Sequence, residues 1–476
     1  METQSFLYKQ LAADIESQIR RGELRPGDKL PSLRILQDKL GMSLNTVYQA
    51  YMELEAMGLV EAQAKSGFFI KKNRLLNMAA PRFARKPDRP RKVRLSDITN
   101  TVVANSLNPD LVPLGASTLS PDLLPQKHLT RIMRGITPEM MAPLLQYTPS
   151  EGSLELRRKL TFRMLGLVPD IRERDVTITN GCSEAVALAL LATTDRGDVV
   201  AVESPTHFGF LQLLRELGLL VMELPTDPLS GVVTEGLSQV LRDNKVRVCL
   251  LMPNFQNPMG ALMTDSRKEE LVAILHEANI PVIEDDIYAE MHFGKKRPRL
   301  LKHWDQKGLV ITCSSFSKIL APGFRVGWVV ANGDVADRIR RLKAGFSMAA
   351  PTLQQHVLTQ FLAEGALDRY LRLLRASVYN QVLKTAMAVQ HAFPEGSRLS
   401  VPEGGNMLWI ELPSWADGTR LYQEALEKGI SIVPGAAFST TDHFGHYIRL
   451  SCTSPFSEPV EAAVNTLGEL VRSQQL

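Results

Sequence analysis

The chain has 476 residues of ordinary apolar and charged content, enough for roughly two to four domains and a large buried core. Its four cysteines, Cys182, Cys249, Cys313 and Cys452, are scattered without a close pair, which excludes a disulfide framework or zinc ribbon and suits a reducing cytoplasm. The polar start METQSFLYKQ has no signal core and no apolar run could span a bilayer, so a cytoplasmic protein with no membrane partner is expected. The formal charge of +4 is unevenly spread: residues 1–72 carry ten Lys/Arg against nine Asp/Glu, 73–94 eight against one, and 95–476 thirty-seven against forty-one. A basic excess in one short segment suits a polyanionic partner.

Leu7, Leu11, Ile15 and Ile19 recur every fourth residue, the stripe of an amphipathic helix that ends before Leu24-Arg25-Pro26-Gly27-Asp28. A second, short helix carries Leu33, Leu36 and Leu40, with Pro31 and Ser32 at its start and Gly41 past its end. Ser43 can cap a third, whose inner face holds Val47, Tyr51 and Leu54. Strands Leu59 to Ala62 and Phe68 to Ile70, joined by Lys65-Ser66-Gly67, complete a winged helix-turn-helix over residues 1–72. Double-stranded DNA is the expected partner. Ser32 and Arg34 stand where phosphates pass, and Asn45, Thr46, Tyr48 and Gln49 occupy the outer face of the third helix, where amides and hydroxyls read base edges. Lys65 sits in the wing; Thr46 has a blander reading as a cap or a filler, and Tyr48 as packing on the first helix.

Residues 73–109 read as a basic, proline-containing linker, dense in arginine as far as Arg94. From about residue 110, strand-like runs alternate with helical ones. The candidate strands are Val176 to Ile178, Asp198 to Val202, Leu219 to Glu223, Arg247 to Met252, Ile280 to Ile283, Leu309 to Cys313 and Val326 to Val330. Helices such as Ser183 to Ala192 and Lys268 to Ala278 lie between them, a rhythm that predicts an α/β body with a mostly parallel central sheet. That large lobe runs to about residue 350. A smaller lobe, about 351–476, has a long helical stretch and strands around Met407 to Leu412 and Tyr447 to Leu450.

Chemistry concentrates around Ser315-Phe316-Ser317-Lys318. An amine there, a carboxylate after a buried strand (Asp285), an amide in an Asn-Pro turn (Asn257) and a nearby guanidinium (Arg325) are what pyridoxal 5'-phosphate needs. The amine forms a Schiff base with the cofactor aldehyde, and the carboxylate keeps the pyridine nitrogen protonated. Singly, each residue reads as a surface or turn residue; it is their joint order that points to the cofactor. Thr179-Asn180-Gly181-Cys182-Ser183, between a strand and a helix, offers backbone N–H groups for the phosphate.

On these residues, the chain from about 110 to 470 resembles the fold-type I, class I aminotransferases. The resemblance implies that Lys318 is the Schiff-base lysine and Asp285 the partner of the pyridine nitrogen, and that Asn257 and Tyr288 hold the phenolic oxygen. It further implies that Gly181, Cys182, Ser183, Ser315 and Arg325 grip the phosphate, and that Tyr147 reaches it from the other subunit of a homodimer. Arg449, in Tyr447-Ile448-Arg449-Leu450-Ser451, would clamp a substrate or effector carboxylate in bidentate fashion. Two departures stand out. His207 occupies the place of a stacking aromatic, with Phe208 beside it as a substitute, and Cys182 replaces a small or hydroxyl residue.

Leu30-Pro31-Ser32-Leu33-Arg34, Ser43-Leu44-Asn45-Thr46-Val47 and Ser66-Gly67-Phe68-Phe69-Ile70 resemble the GntR-type winged helix, with Leu44 where that family commonly has arginine. The two modules together resemble the MocR subfamily. That resemblance implies a homodimeric transcription regulator in which an amine or amino acid, or the cofactor itself, is sensed at Lys318. The alternative is a working aminotransferase that carries a regulatory DNA-binding domain.

Overall fold

The computed structural model describes residues 2–20, 24, 27–56, 59–63, 66–70, 78–83, 89–93, 98–105, 108–363 and 365–475. The first module consists of α1 (Glu2–Arg20), α2 (Leu33–Leu40), α3 (Leu44–Ala56) and the antiparallel pair β1 (Val60–Gln63) and β2 (Gly67–Ile70). Its core is Leu11, Ile15, Leu30, Val47, Tyr51, Leu54, Val60 and Ile70. The expected stripe on α1 drifts, because four residues overshoot a 3.6-residue turn by about 40° per step. Tyr8, Leu11, Ala12 and Ile15 face the core, while Leu7 is exposed. Leu40 is exposed as well, since Gly41, at φ 63°, ends α2 directly after it. Ser32 caps α2, accepting from the Ile35 N–H at 3.3 Å.

The large lobe is built on one sheet. Its order is β3 (Arg91–Lys92), Leu220–Asp227, Val199–Ser204, Val246–Leu251, Val282–Asp285, Val310–Ser315, Gly327–Val330 and Val176–Thr179. The five strands from Leu220–Asp227 to Val310–Ser315 run parallel, and Gly327–Val330 is antiparallel to both neighbours. Val176–Thr179 and Val310–Ser315 are buried throughout, as strands covered on both faces must be. The predicted strands thus lie where the periodicity put them, with ends shifted by at most four residues.

The small lobe is an antiparallel sheet ordered Arg398–Leu399, Met407–Glu411, Tyr447–Ser451, Val433–Pro434, packed under the helices Ala366–Ala392 and Glu458–Ser473. The lobes are latched by Glu223, buried on strand Leu220–Asp227. Its carboxylate accepts from the Ser204 hydroxyl at 2.6 Å, the Ser439 hydroxyl at 2.8 Å, and the Thr440 N–H and hydroxyl at 2.6 and 2.8 Å.

The basic connecting segment lies on the body in its described stretches. The Leu399 N–H donates to Ala79 O at 2.9 Å, and the Arg82 N–H donates to buried Glu411 at 2.7 Å while its guanidinium pairs with the same carboxylate. The Tyr447 hydroxyl donates to Arg82 O at 3.2 Å. Further along, β3 pairs with Val221 and Leu220 at the edge of the large sheet. One segment therefore touches the small lobe first and the large lobe second.

Candidate functional site

The carboxyl ends of parallel strands Val246–Leu251, Val282–Asp285 and Val310–Ser315 open onto a cavity of about 300 Å³, the crevice where ligands bind in open α/β sheets. Asp285, Lys318, Asn257, Tyr288, His207, Cys182, Ser183, Ser315 and Arg325 all line it. Segments more than a hundred residues apart thus converge on one space.

Asp285 ends its strand with its carboxylate buried. One oxygen accepts from the Cys182 thiol at 3.3 Å and from the Ile287 N–H at 3.1 Å. Burial pushes this acid up to about 7, against those hydrogen bonds. A cation in the cavity would restore its charge. The Lys318 ammonium donates to Ser117 O at 2.7 Å, and burial, with Arg449 and Arg325 adding repulsion against the pull of Asp285, lowers it to about 8. About a tenth of it is then neutral at pH 7, far more than of an ordinary lysine, which favours nucleophilic attack.

The guanidinium of Arg449 is buried in strand Tyr447–Ser451. It donates to Asn257 Oδ1 at 3.1 Å and to Gly115 O, and lies over the Phe438 ring at 5.2 Å. Its Nε finds no partner, and no ion pair among the described residues includes it. Burial lowers it to about 10. Because arginine only donates, Asn257 must present Oδ1 to Arg449 and its NH₂ to His207 Nδ1, 3.4 Å away. The imidazole then carries its proton on Nε2. Burial and the cations Lys318 and Arg449 push it down to about 3, so the ring is neutral. It packs edge-on to Phe208 and Phe210, and Phe210 rather than Phe208 shares the cavity wall with it. The Tyr288 hydroxyl meets the Ser117 hydroxyl at 2.8 Å, and burial raises it to about 12.

Helix Cys182–Thr193 begins at Gly181, whose φ is 85°, and its first residues, Cys182 and Ser183, line the cavity. A Cβ there would come 2.5 Å from Arg325 Nη2, and one on Gly327 would come 2.5 Å from the Gly181 carbonyl carbon. Glycine is therefore required at both. Arg325 donates to Asn180 O at 3.1 Å, and Glu184 holds the same turn through the Asn180 side chain at 3.0 Å and Lys343 at 3.2 Å. Ser317 Oγ, buried close to Ser315, has no partner among the described residues. Free N–H groups at a helix start, a guanidinium and an unsatisfied hydroxyl make an anion cradle.

These residues fit pyridoxal phosphate: a cradle for a phosphate, an acid made basic by burial, and a lysine between them. Ser117 and Asn406 join the network although the sequence offered no marker for them; Ser117 meets the Tyr288 hydroxyl and contacts Asn406 Oδ1 at 3.2 Å. Cys182 contributes its thiol as well as its amide. Tyr147 lies outside the cavity lining and is 80% exposed on the protomer surface.

On the first module, Ser32, Arg34, Asn45, Tyr48 and Gln49 are exposed. Thr46 is not on the reading face. It is buried, its hydroxyl 2.8 Å from Ser43 Oγ and its N–H donating to the same atom at 3.1 Å, so Ser43 caps α3 and Thr46 fills the space beneath it. Lys65 lies outside the described residues. Among the described residues no cluster of metal-binding donors occurs, and no helix is long and apolar enough to cross a membrane.

A fold-type I transferase body with a cofactor crevice, joined to a winged helix, is thus the class that fold and site define. Residues 111–467 match the aminotransferase class I and II model, and residues 7–70 match that of the gntR family of bacterial regulatory proteins. This chain is 34% identical to the uncharacterized HTH-type transcriptional regulator YdcR of Escherichia coli K12 across 467 residues, covering 98% of this chain and 99% of that protein, and 33% identical to YjiR of the same organism across 464, covering 98% of each. The crystal structure of LysN, an alpha-aminoadipate aminotransferase from Thermus thermophilus complexed with N-(5'-phosphopyridoxyl)-L-leucine, superposes with a TM-score of 0.74 at 27% identity, covering 81% of this chain and 96% of that one. The chain belongs to the aminotransferase class I and II family, carries a GntR-type domain at its amino terminus, and has pyridoxal phosphate as its cofactor. This fusion is the MocR arrangement.

Proposed function

We propose that this protein is a regulator of transcription that grips DNA through residues 1–72 and responds to an amine or amino acid taken up in the cofactor crevice. The observation that carries the reading is Arg449: a buried guanidinium with an unsatisfied N–H and, among the described residues, no carboxylate partner, hydrogen-bonded to Asn257 of the crevice wall that Lys318 shares, in a chain that also bears a GntR-type reader. A carboxylate-bearing ligand satisfies it.

Bound in the crevice, pyridoxal phosphate supplies an aldehyde that condenses with primary amines and a ring that withdraws electrons. Lys318 offers a partly neutral amine, Asp285 holds the ring nitrogen's proton, and Asn257 and Tyr288 hold the phenolic oxygen. Ser315, Ser317, Arg325 and the Gly181–Ser183 amides hold the phosphate, and His207 covers the ring. Arg449 and Tyr447 alternate onto one face of the same strand, and Tyr447 touches Arg82 of the connecting segment. Capture of a carboxylate at Arg449 thus acts two residues from the anchor of the segment that leads to the reader. An effector shifts DNA binding only by the difference in its affinity for the two arrangements.

A homodimer completes the account. In that dimer Tyr147 closes the partner's crevice; its exposure on the protomer, beside exposed Leu145, supports this reading. An enzymatic reading draws on the same Lys318 and Arg449: a working aminotransferase whose reader is accessory. A single-turnover assay separates them. Spectral change with an amino acid, altered DNA affinity and no turnover with a keto acid support the regulator; steady turnover with unaltered DNA affinity supports the enzyme.

A further inference from the structure

The reading face of α3 has a composition that narrows which DNA it can recognise. Its inward side is Val47, Ala50, Tyr51 and Leu54, all buried. Its outward side presents Leu44, Asn45, Tyr48, Gln49 and Met52, with Leu44 44%, Tyr48 45% and Met52 37% exposed. The sequence from residue 40 to residue 64 contains no Lys, Arg or His. Glu55 is tied to the Ala62 N–H at 3.0 Å, and Glu53 is half-buried one turn beyond Gln49. Three large apolar side chains on the solvent face of one thirteen-residue helix are otherwise unexplained, since the module's core is built without them.

The commonest base-specific contact, a cation forked onto guanine O6 and N7, is unavailable to this helix. Asn and Gln amides instead match the N6/N7 edge of adenine, and exposed apolar groups match the C5 methyl of thymine. Asn45 and Gln49 are four residues apart, roughly 6 Å along the helix, or about two base-pair steps of about 3.4 Å. We propose that α3 reads an A·T core. Asn45 and Gln49 each take an adenine about two steps apart, and Leu44, Tyr48 and Met52 pack on thymine methyls beside them. Phosphate affinity then comes from outside α3, from Arg34 and Lys39, which are exposed on α2. The inference rests on the reading of residues 1–72 as a DNA reader and adds the base composition of its target.

The test is selection from a random duplex pool by the full chain loaded with pyridoxal phosphate, followed by affinity measurements on the selected duplex. The selected core is expected to be A·T at the positions under α3, and replacing its thymines with uracil is expected to weaken binding about fourfold per methyl removed. Leu44→Arg, at an exposed position, is expected to redirect selection towards guanine at the adjoining pair. A selected G·C core, or affinity unmoved by uracil, overturns the A·T assignment and leaves the DNA reader standing. Absence of sequence-selective retention at any salt overturns both.

Discussion

The two ends of this molecule use side chains in opposite ways. In the reader, the functional groups are exposed, uncharged where they would meet bases, and fixed by one helix with Ser43 and Thr46 locking its start. In the body, the functional groups are buried and their chemistry comes from that burial: Asp285 up to about 7, Lys318 down to about 8, Arg449 down to about 10. The reader spends little stability on function, because its face is left in water. The body holds costly groups in place with a dense supporting network, and that network is where damage should travel furthest.

The largest expected effect is at the body's nucleophile. Lys318→Ala should abolish the borohydride-trapped adduct between chain and cofactor while the DNA reader stays folded; a trapped adduct elsewhere would move the site. Next is Arg449→Gln. Removing a buried guanidinium from a carboxylate should weaken amino-acid binding by about 3 kcal/mol, more than a hundredfold, yet leave amines without a carboxylate little changed. Titration of the cofactor absorption band with amino-acid and amine pairs reads this directly, and equal losses for both would deny the clamp.

The lobe latch comes third. Glu223→Gln leaves a buried amide facing donors from Ser204, Ser439 and Thr440, and should cost the body about 2–3 kcal/mol in denaturant unfolding without moving the transition of residues 1–72. A pH effect is smaller still. The folded Lys318 ammonium sits near 8, below its usual 10.5, so its reactive neutral form grows as pH rises. Cofactor capture by the apoprotein should accelerate about tenfold per unit below pH 8 and level off above it. Stopped-flow absorbance would show this, and a rise continuing beyond pH 10 would mean that burial does not depress the amine. The mildest change is Arg82→Ala, in an exposed side chain. It should leave amino-acid titration intact while reducing the response of DNA affinity to that ligand, which fluorescence anisotropy on a selected duplex can follow.

The same contrast explains what the sequence disclosed. Strand positions such as Val310–Ser315 and Met407–Glu411 follow from unbroken apolar runs, and the motif residues Lys318, Asp285, Asn257 and Arg449 stand in a recognisable order. Ser117 and Asn406 carry no such mark, because a serine or asparagine becomes a site residue only when distant loops fold over it. Thr46 was legible only as an ambiguity that its hydrogen bond to Ser43 resolves. The docking of Arg82 on Glu411 was hidden for a different reason: the charge and proline content that mark a linker do not reveal the single buried acid, 329 residues away, that one of its arginines finds.

The central claim is that ligand capture in the crevice changes what the reader does. It is tested by titrating one selected duplex with the cofactor-loaded full chain, with and without whichever amino acid most alters the cofactor absorption band. DNA affinity shifted about tenfold or more, with the shift lost in Lys318→Ala, is the predicted result. An unchanged DNA affinity while the absorption band responds fully would contradict the account.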